Sequence, residues 1–341
     1  MIGKERSIPI VILILEAILR RLPKNHLKYP LIAEELERRR AGFRGEESLD
    51  YYLRSLPEKE YIIFHDLNFP DGDFNCQIDT LLLTSRFALI LEIKNMTGKL
   101  TFDIENEQFF QIKDGNEKGY SDPIAQAERH QKFIQKLFAE HNLPPVPVDH
   151  LVVISNPNAI LELKGNNYKV IKRVCKSQSM LKRISLYEQK YEKKILTPKE
   201  LRKISKLLVK LNTPPTKFIL QNYGIKKTEL RFGVHCPICD YLPLYRQKAS
   251  WFCPNCQSFS KDAYIYTLLD YFLLYDLKVT NQQFREFALI NSPDLSGRLL
   301  RAAEIKYSGT NKGRYYYVDN NQLEKLTTQI RRKNSRNLRY S

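Results

Sequence analysis

Two groups of residues have the types and spacing for metal chemistry. In the first, Asp79 is separated by twelve mostly apolar residues from Glu92-Ile93-Lys94. If Ser85-Arg86 form a two-residue turn, paired positions sum to 171, which sets Asp79 opposite Glu92 and Gln77 opposite Lys94. Directly opposed side chains have Cβ atoms roughly 4.5–5.5 Å apart, and like charges there repel. A divalent cation bridging the carboxylates would offset the repulsion, and hard oxygen ligands suit Mg²⁺ or Mn²⁺. Lys94, on the same strand face as Glu92, could also neutralise the pair without a metal. The register is conditional, because Ser-Arg is not a favoured primed-turn pair. A buried strand pair whose charged ends are simply solvated is the competing reading.

The second group is Cys236-Pro237-Ile238-Cys239 and Cys253-Pro254-Asn255-Cys256, two CxxC pairs thirteen residues apart. Four thiolates on two tight knuckles make the tetrahedral sulfur set that Zn²⁺ prefers, with no position left open for catalysis. A redox dithiol is the alternative, disfavoured because the pairs come as a matched set. Such a short segment cannot bury a sufficient core, so the metal would supply its folding energy. The remaining cysteines, Cys76 and Cys175, are scattered, so the chain reads as reduced and cytoplasmic.

These residues need elements to position them. Leu49, Tyr52 and Leu53 have the spacing of a buried helix face, within a helical stretch over 31–56. Strand patterns follow at Tyr61–His65, Cys76–Thr84, Phe87–Lys94 and Lys99–Ile104, the last turning through Glu105-Asn106-Glu107 to Phe109–Lys113. Asp122 and Pro123 cap a helix over 122–141, and His150–Ser155 reads as a buried strand. Thr197-Pro198-Lys199-Glu200 is a capping box opening a helix to Leu211. The order predicts an α/β domain over 31–211.

At these positions a resemblance emerges. Asp79 and Glu92-Ile93-Lys94 resemble the core of the PD-(D/E)xK nucleases. With Gly45-Glu46, Gln77-Ile78-Asp79, Glu92-Ile93-Lys94-Asn95 and Pro123-Ile124-Ala125-Gln126 in order, about residues 40–160 resemble the nuclease-related domain family, NERD. The resemblance implies a restriction-endonuclease-like domain, a mixed sheet flanked by helices. It further implies an acidic cluster of Glu46, Asp79 and Glu92, with Asp79, Glu92 and the Ile93 carbonyl as ligands of Mg²⁺ or Mn²⁺. Lys94 would position the attacking water or stabilise developing charge, and Gln126 would be an accessory on the next helix. Ile78 stands where the superfamily has proline. A carboxylate-held cation and an ammonium suit phosphodiester hydrolysis, which needs an activated water and neutralised phosphorane oxygens. His130, one turn after Gln126, could face the same cleft, although a lone histidine is more often structural.

Beyond the α/β domain, 212–231 reads as a linker. The cysteine segment 232–260, with Tyr241, Tyr245, Trp251, Phe252 and Phe259, resembles a zinc ribbon. Those aromatics either cover the metal or stack on unpaired bases. Residues 261–321 show helices at Tyr264–Tyr275, Thr280–Ile290 and Ser292–Ala303. Strands at Ile305–Ser308 and Arg314–Val318 follow, a pattern resembling a winged helix-turn-helix. Ser296, Arg298, Arg301, Lys306, Lys312 and Arg314 would then contact nucleic acid. A packing or protein-interaction module of the same fold is the alternative. A basic tail, 322–341, ends the chain.

The chain has 341 residues and a formal charge of +17. Residues 1–150 carry 20 Lys+Arg and 24 Asp+Glu, net −4, whereas residues 151–341 carry 35 and 14, net +21. A near-neutral half joined to a basic half predicts a working site and a polyanion surface, the alternative being a merely solvated basic face. The nuclease resemblance implies DNA rather than RNA as that polyanion. The composition, 43% hydrophobic and 27% charged, excludes disorder along the whole chain. The apolar run Ile8–Leu15 is too short for a stable membrane span and predicts, within residues 1–30, a helix over 8–21 packed on the first domain. Peripheral membrane contact is the alternative. The expectation is a metal-dependent DNA phosphodiesterase in DNA processing or repair. The competing reading is a non-catalytic DNA-binding protein with a vestigial nuclease fold, and a protein-recruiting scaffold ranks third.

Overall fold

The computed structural model describes residues 1–72, 74–165, 171–213, 219–319, 322–323 and 326–327. It divides into two compact units, Met1–Ile8 with Arg38–Pro215 and Pro9–Glu37 with Thr216–Ser341. Residues 214–218 of the expected linker and most of the expected basic tail lie outside the described residues. Among the described residues, no helix is long and apolar enough to cross a membrane.

The first unit is built on a six-stranded sheet. Its strands are β1 (Ile2–Lys4), β2 (Ile62–Asp71), β3 (Phe74–Leu83), β4 (Ala88–Lys94), β8 (Val148–Ile154) and β10 (Val174–Lys176), adjacent in that order. β2, β3 and β4 are antiparallel neighbours; β1 on β2, β8 on β4 and β10 on β8 are parallel, so the sheet is mixed. Between β4 and β8 the chain makes β5 (Lys99–Asp103), β6 (Gln108–Lys113) and β7 (Asn116–Tyr120). With β9 (Ile160–Lys164) they form a four-stranded sheet in the order β7-β6-β5-β9.

Strand periodicity distributes the apolar residues to two faces. Phe64, Leu81 and Ile90 pack with Ile134 and Leu137 of α3 (Pro123–Glu140) and with Ile204 and Leu208 of α5 (Pro198–Leu211). Leu82, Leu89 and Leu91 pack with Leu49 and Leu53 of α2 (Tyr29–Leu53) and with Met180 and Ile184 of α4 (Met180–Lys190). Helices therefore cover both faces. Asp122 caps α3 by accepting from Ile124 N–H, and Thr197 with Glu200 closes the capping box of α5. β7, β9, β10 and α4 have weaker sequence signals and go beyond the elements read from the pattern. β10, for instance, is three residues long.

The second unit contains α1 (Ile10–Arg21), α6 (Ala263–Leu274), α7 (Asn281–Ala288) and α8 (Pro293–Ala302). Two small antiparallel sheets accompany them. One is β11 (Tyr245–Gln247), β12 (Ser250–Phe252) and β13 (Phe259–Ser260). The other is β14 (Lys278–Thr280), β16 (Tyr315–Tyr317) and β15 (Lys306–Ser308), in that spatial order. One apolar core runs from Cys236, Trp251 and Cys253 through Leu268, Phe272 and Phe284 to Leu300 and Tyr316. The cysteine segment and the helices after it thus share their interior.

The expectation that the apolar N-terminal helix packs on the first domain is corrected. α1 belongs to the second unit, and its last turn is held there by charge. Arg21, fully buried, donates to Asp270 at 2.7 Å, and Arg20 pairs with Asp270 at 2.5 Å and Asp240 at 2.8 Å. Arg21 also donates to the carbonyls of Arg231 and Gly233. Buried guanidinium groups need such partners, and Asp270 on α6 provides the carboxylate.

Candidate active site and cysteine cluster

The hairpin β3–β4 positions the first group. Thr80 pairs with Leu91, Leu81 with Ile90, Leu82 with Leu89 and Leu83 with Ala88, so paired positions sum to 171 as the two-residue turn predicts. Thr84 N–H donates to the Phe87 carbonyl at 2.9 Å, and the Thr84 hydroxyl accepts from the N–H groups of Arg86 and Phe87, which secures an unfavoured Ser-Arg turn. The ladder stops one residue short of Asp79. There the Asp79 carboxylate accepts from Ile93 N–H at 2.8 Å, so a side chain takes over from backbone pairing.

Glu92 and Lys94 lie on the strand face toward α3. The Glu92 side chain is 1% exposed; its Oε1 accepts from Lys94 Nζ at 2.7 Å. Lys94 Nζ also donates to Gln126 Oε1 at 3.0 Å. His130, four residues after Gln126, brings Nδ1 to 3.3 Å from Glu92 Oε2. The two atoms are misaligned for a hydrogen bond, and each is buried without a hydrogen-bond partner among the described residues. His130 therefore lies in the cleft with Glu92, Lys94 and Gln126.

Glu46 is carried by α2, which closes on the ends of β4 and β8 through Gly45. A Cβ there would lie 2.4 Å from Asn95 Cβ and 2.7 Å from Ser155 Oγ, so glycine is required for the approach. Asn95 ties the contact by donating to the Ala41 carbonyl at 2.6 Å. Burial pushes the Glu46 carboxyl up to about 7, opposed by the Arg6 guanidinium and reinforced by Asp66, Glu92 and Asp50. Burial, followed by the charges of Glu92 and Glu46, raises Asp79 well above the ordinary carboxylate range, against the pull of the Ile93 N–H and Lys94. Glu46 and Asp79 both feel the charge of Glu92, and each of these two is costly to ionise without added positive charge.

Four members of this neighbourhood are beyond the sequence motifs. Asp66 occupies the β2 position facing Asp79, where the ladder skips between His65–Thr80 and Leu67–Ile78, and it takes a left-handed φ of 49°. Asp50 sits one turn after Glu46 on α2, a spacing that could have pointed to it. Arg6 joins both: its Nη1 donates to Glu46 at 2.7 Å and its Nη2 to Asp50 at 3.0 Å. Arg6 Nη2 also lies 2.8 Å from His65 Nδ1. Because a guanidinium can only donate, that nitrogen of His65 accepts and the ring is neutral. Burial, with Arg6 and Lys4 nearby, accordingly holds His65 down to about 4.

In the second unit, the ligand atoms of Cys236, Cys239, Cys253 and Cys256 all lie within 4.8 Å of one another. Sγ of Cys236 is 3.6 Å from that of Cys256, and Sγ of Cys239 is 3.5 Å from that of Cys253. These distances exceed a disulfide bond and approach the roughly 3.8 Å edge of a tetrahedron with about 2.3 Å metal–sulfur bonds. Ile238 N–H and Asn255 Nδ2 point at the sulfurs of Cys236 and Cys239, each at 3.4 Å. The set can hold a metal such as zinc. Among the described residues, the carboxylates of Glu46, Asp79 and Glu92 are not gathered so tightly. Trp251 is buried beneath Arg246, whose guanidinium carbon lies 5.0 Å from the ring centre, so this aromatic covers the cluster and is not open to a base.

The basic residues expected at a nucleic-acid surface divide. Arg298 and Arg301 project from α8 and line an open cavity of about 590 Å³ with Asn281, Pro293, Asp294 and Gly297. Lys306 pairs with Asp319 at 2.7 Å, and Arg314 lies over Tyr307 at 5.0 Å. The Lys312 side chain lies outside the described residues. Ser296 is a correction: it is fully buried, its hydroxyl 3.5 Å from the Asn281 carbonyl, and helical spacing turns it inward with Leu299 and Leu300.

Residues 41–155 match the family model of the nuclease-related domain, NERD. No curated protein and no solved structure matches the chain.

Proposed function

We propose that this chain, with a nuclease-related domain at residues 41–155, is a metal-dependent phosphodiesterase acting on DNA. The observation that carries the reading is the group formed by Asp79, within β3 where its ladder with β4 stops, and Glu92 and Lys94 at the end of β4. The Asp79 carboxyl there is costly to ionise, and Glu92 Oε2 is buried with no hydrogen-bond partner among the described residues. Asp79, Glu92 and the Ile93 carbonyl offer hard oxygens that fit Mg²⁺ or Mn²⁺. Such a cation, when bound, supplies Lewis acidity toward a phosphoryl oxygen and lowers the pKa of a bound water.

The chain's own residues do the remaining work. Lys94 brings its ammonium to the cleft, where it can orient a water or meet charge developing on phosphate. Gln126 fixes the Lys94 amine by accepting from it at 3.0 Å. Glu46 adds to the acidic field that makes positive charge favourable at Asp79.

The second unit fits a targeting role. The four cysteines are read as a structural Zn²⁺ site of a zinc ribbon. The order α6, β14, α7, α8 and the hairpin β15–β16 supports a winged helix-turn-helix with α8 as the recognition helix. Arg298 and Arg301 on its exposed face would contact the DNA, with Lys306, Lys312 and Arg314 on the hairpin side.

The test is cleavage of single-stranded, duplex, flap and forked DNA with Mg²⁺ or Mn²⁺. Wild type should cut at least one of them, and both EDTA and Glu92→Gln should abolish cutting. No cleavage of any substrate by zinc-loaded wild type would refute the catalytic reading. A second reading, a DNA-binding protein with a vestigial nuclease fold, is favoured by one observation. Glu46 is already engaged by Arg6 at 2.7 Å, so the acidic group is partly neutralised from within. That reading expects salt-sensitive DNA binding that survives Glu92→Gln.

A further inference from the structure

The N-terminal segment carries Arg6 into the acidic cleft from outside residues 41–155. β1 runs parallel to β2, with Ile2 opposite Ile63 and Lys4 opposite Phe64. Gly3 permits this contact, since a Cβ would fall 2.5 Å from the Phe64 ring. Lys4 Nζ then donates to the carbonyls of His65 and Asp66, and two residues later the chain delivers Arg6 beneath α2.

The Arg6 side chain is 4% exposed, and its hydrogen-bonding capacity is heavily used. Nη1 donates to Glu46 at 2.7 Å, and Nε lies 3.2 Å from each oxygen of Asp50. Nη2 donates to Asp50 at 3.0 Å and Thr80 Oγ1 at 3.3 Å, and to the neutral His65 ring at 2.8 Å. Buried, charge-assisted bonds of this kind are not readily exchanged for water or a hydrated ion. Asp79 and Glu92 have a different environment. Asp79 accepts from a backbone N–H, and Glu92 keeps one oxygen without a hydrogen-bond partner.

We infer that the cleft is a one-cation centre, in which a single divalent ion at Asp79 and Glu92 is complemented by Arg6 as a built-in positive charge on Glu46 and Asp50. Arg6 is then a positioning residue. It keeps Glu46 out of the ion's coordination shell and prevents a second ion from binding between the α2 carboxylates. The inference rests on the metal-centre reading of Asp79 and Glu92 and specifies its stoichiometry.

The experiment is Mn²⁺ titration of the zinc-loaded full chain, followed by the electron paramagnetic resonance signal of free Mn²⁺. Hard Mn²⁺ does not compete effectively for the thiolate site. Wild type should take up one ion, and Asp79→Asn should lose it. Glu46→Gln should keep one ion, with affinity lowered by no more than about 10- to 100-fold, because it acts outside the coordination shell. Arg6→Met should take up a second ion, drawn by the uncovered carboxylates, whereas Arg6→Lys should remain at one. Two ions on wild type, loss of the ion in Glu46→Gln, or a folded Arg6→Met that still takes one ion would overturn the inference. If Arg6→Met does not fold, Glu46→Gln decides. Wild type that binds no Asp79-dependent ion would remove the metal-centre reading and, with it, the inference.

Discussion

Replacing Lys94 with methionine separates the structural and chemical roles of the hairpin. Methionine retains much of the apolar stem but loses the ammonium 2.7 Å from Glu92 Oε1. Glu92 is 1% exposed, so the substitution leaves a buried carboxylate without its lysine partner. Breaking a fully buried pair in this way costs about 3–5 kcal/mol. The Lys94 side chain is 26% exposed and already partly solvated, which brings the expected loss to about 2–3 kcal/mol. For a unit of this size that corresponds to a fall of roughly 5–10 °C in the midpoint of its unfolding. Mn²⁺ should restore much of the loss, because a cation beside Glu92 replaces the missing charge. Cleavage should not recover. Loss of one preorganised donor to developing charge lowers turnover by about 100- to 1,000-fold. The assay is a thermal melt with and without Mn²⁺ alongside initial cleavage rates. A Lys94→Met protein that cuts DNA at the wild-type rate would refute the chemical role. An unchanged melting temperature in the absence of metal would refute the electrostatic one.

Three further perturbations probe the rest of the molecule. Asp270→Asn strips the carboxylate from fully buried Arg21 and should lower the second unit's melting temperature by roughly 10 °C, whereas the double variant with Arg21→Met should recover part of the loss. No recovery would mean that the buried pair is not the source of the effect. His150 should make the first unit acid-sensitive. Burial, with Arg173 and Lys190 nearby, holds its pKa down to about 4, against about 6.5 when unfolded. The neutral ring accepts from Arg173 Nη1 at 3.0 Å through Nε2 and contacts Gln131 Oε1 at 2.6 Å through Nδ1. Protonation is therefore favoured only after unfolding. Its contribution is complete above about pH 6.5 and lost as pH falls toward 4, by up to about 3 kcal/mol. His150→Gln should flatten that part of the stability profile, read as the wild-type minus variant difference in thermal midpoint across pH. Finally, elemental analysis should find one zinc per chain. Chelating it should expose Trp251, the chain's single tryptophan, with a red shift in its emission. Emission unchanged after full zinc removal would show that the metal does not hold this fold.

Signals contained within a few neighbouring residues were legible in the chain. The CxxC spacing brings four sulfurs together because each knuckle is a local turn, and the second pair returns along the short hairpin β11–β12. Asp122, Thr197, Thr280 and Ser292 cap helices because a cap needs only the next turn as its partner. The β3–β4 register followed from a two-residue connection at Ser85-Arg86, and the turn was secured by the adjacent Thr84. Gly45-Glu46, Asp79, Glu92-Ile93-Lys94 and Gln126 were recognisable as a set, although their distances were not.

The tertiary structure decided which charges meet. Arg6 is one of 55 Lys and Arg residues, and nothing in its local sequence distinguishes a buried guanidinium from a solvated one. It reaches Glu46 across 40 residues because β1 adds to the sheet edge beside β2. His130 became part of the cleft because α3 packs with one face over β4, bringing a common histidine against a buried carboxylate. Asp66 faces Asp79 through a break in the β2–β3 ladder. Ser296 and the N-terminal apolar helix went the other way, because burial depends on what covers a face and not on the residues that form it. Spacing along the chain specifies local geometry. The field at a site is the sum over groups distant in sequence, and only the packed fold brings that sum together.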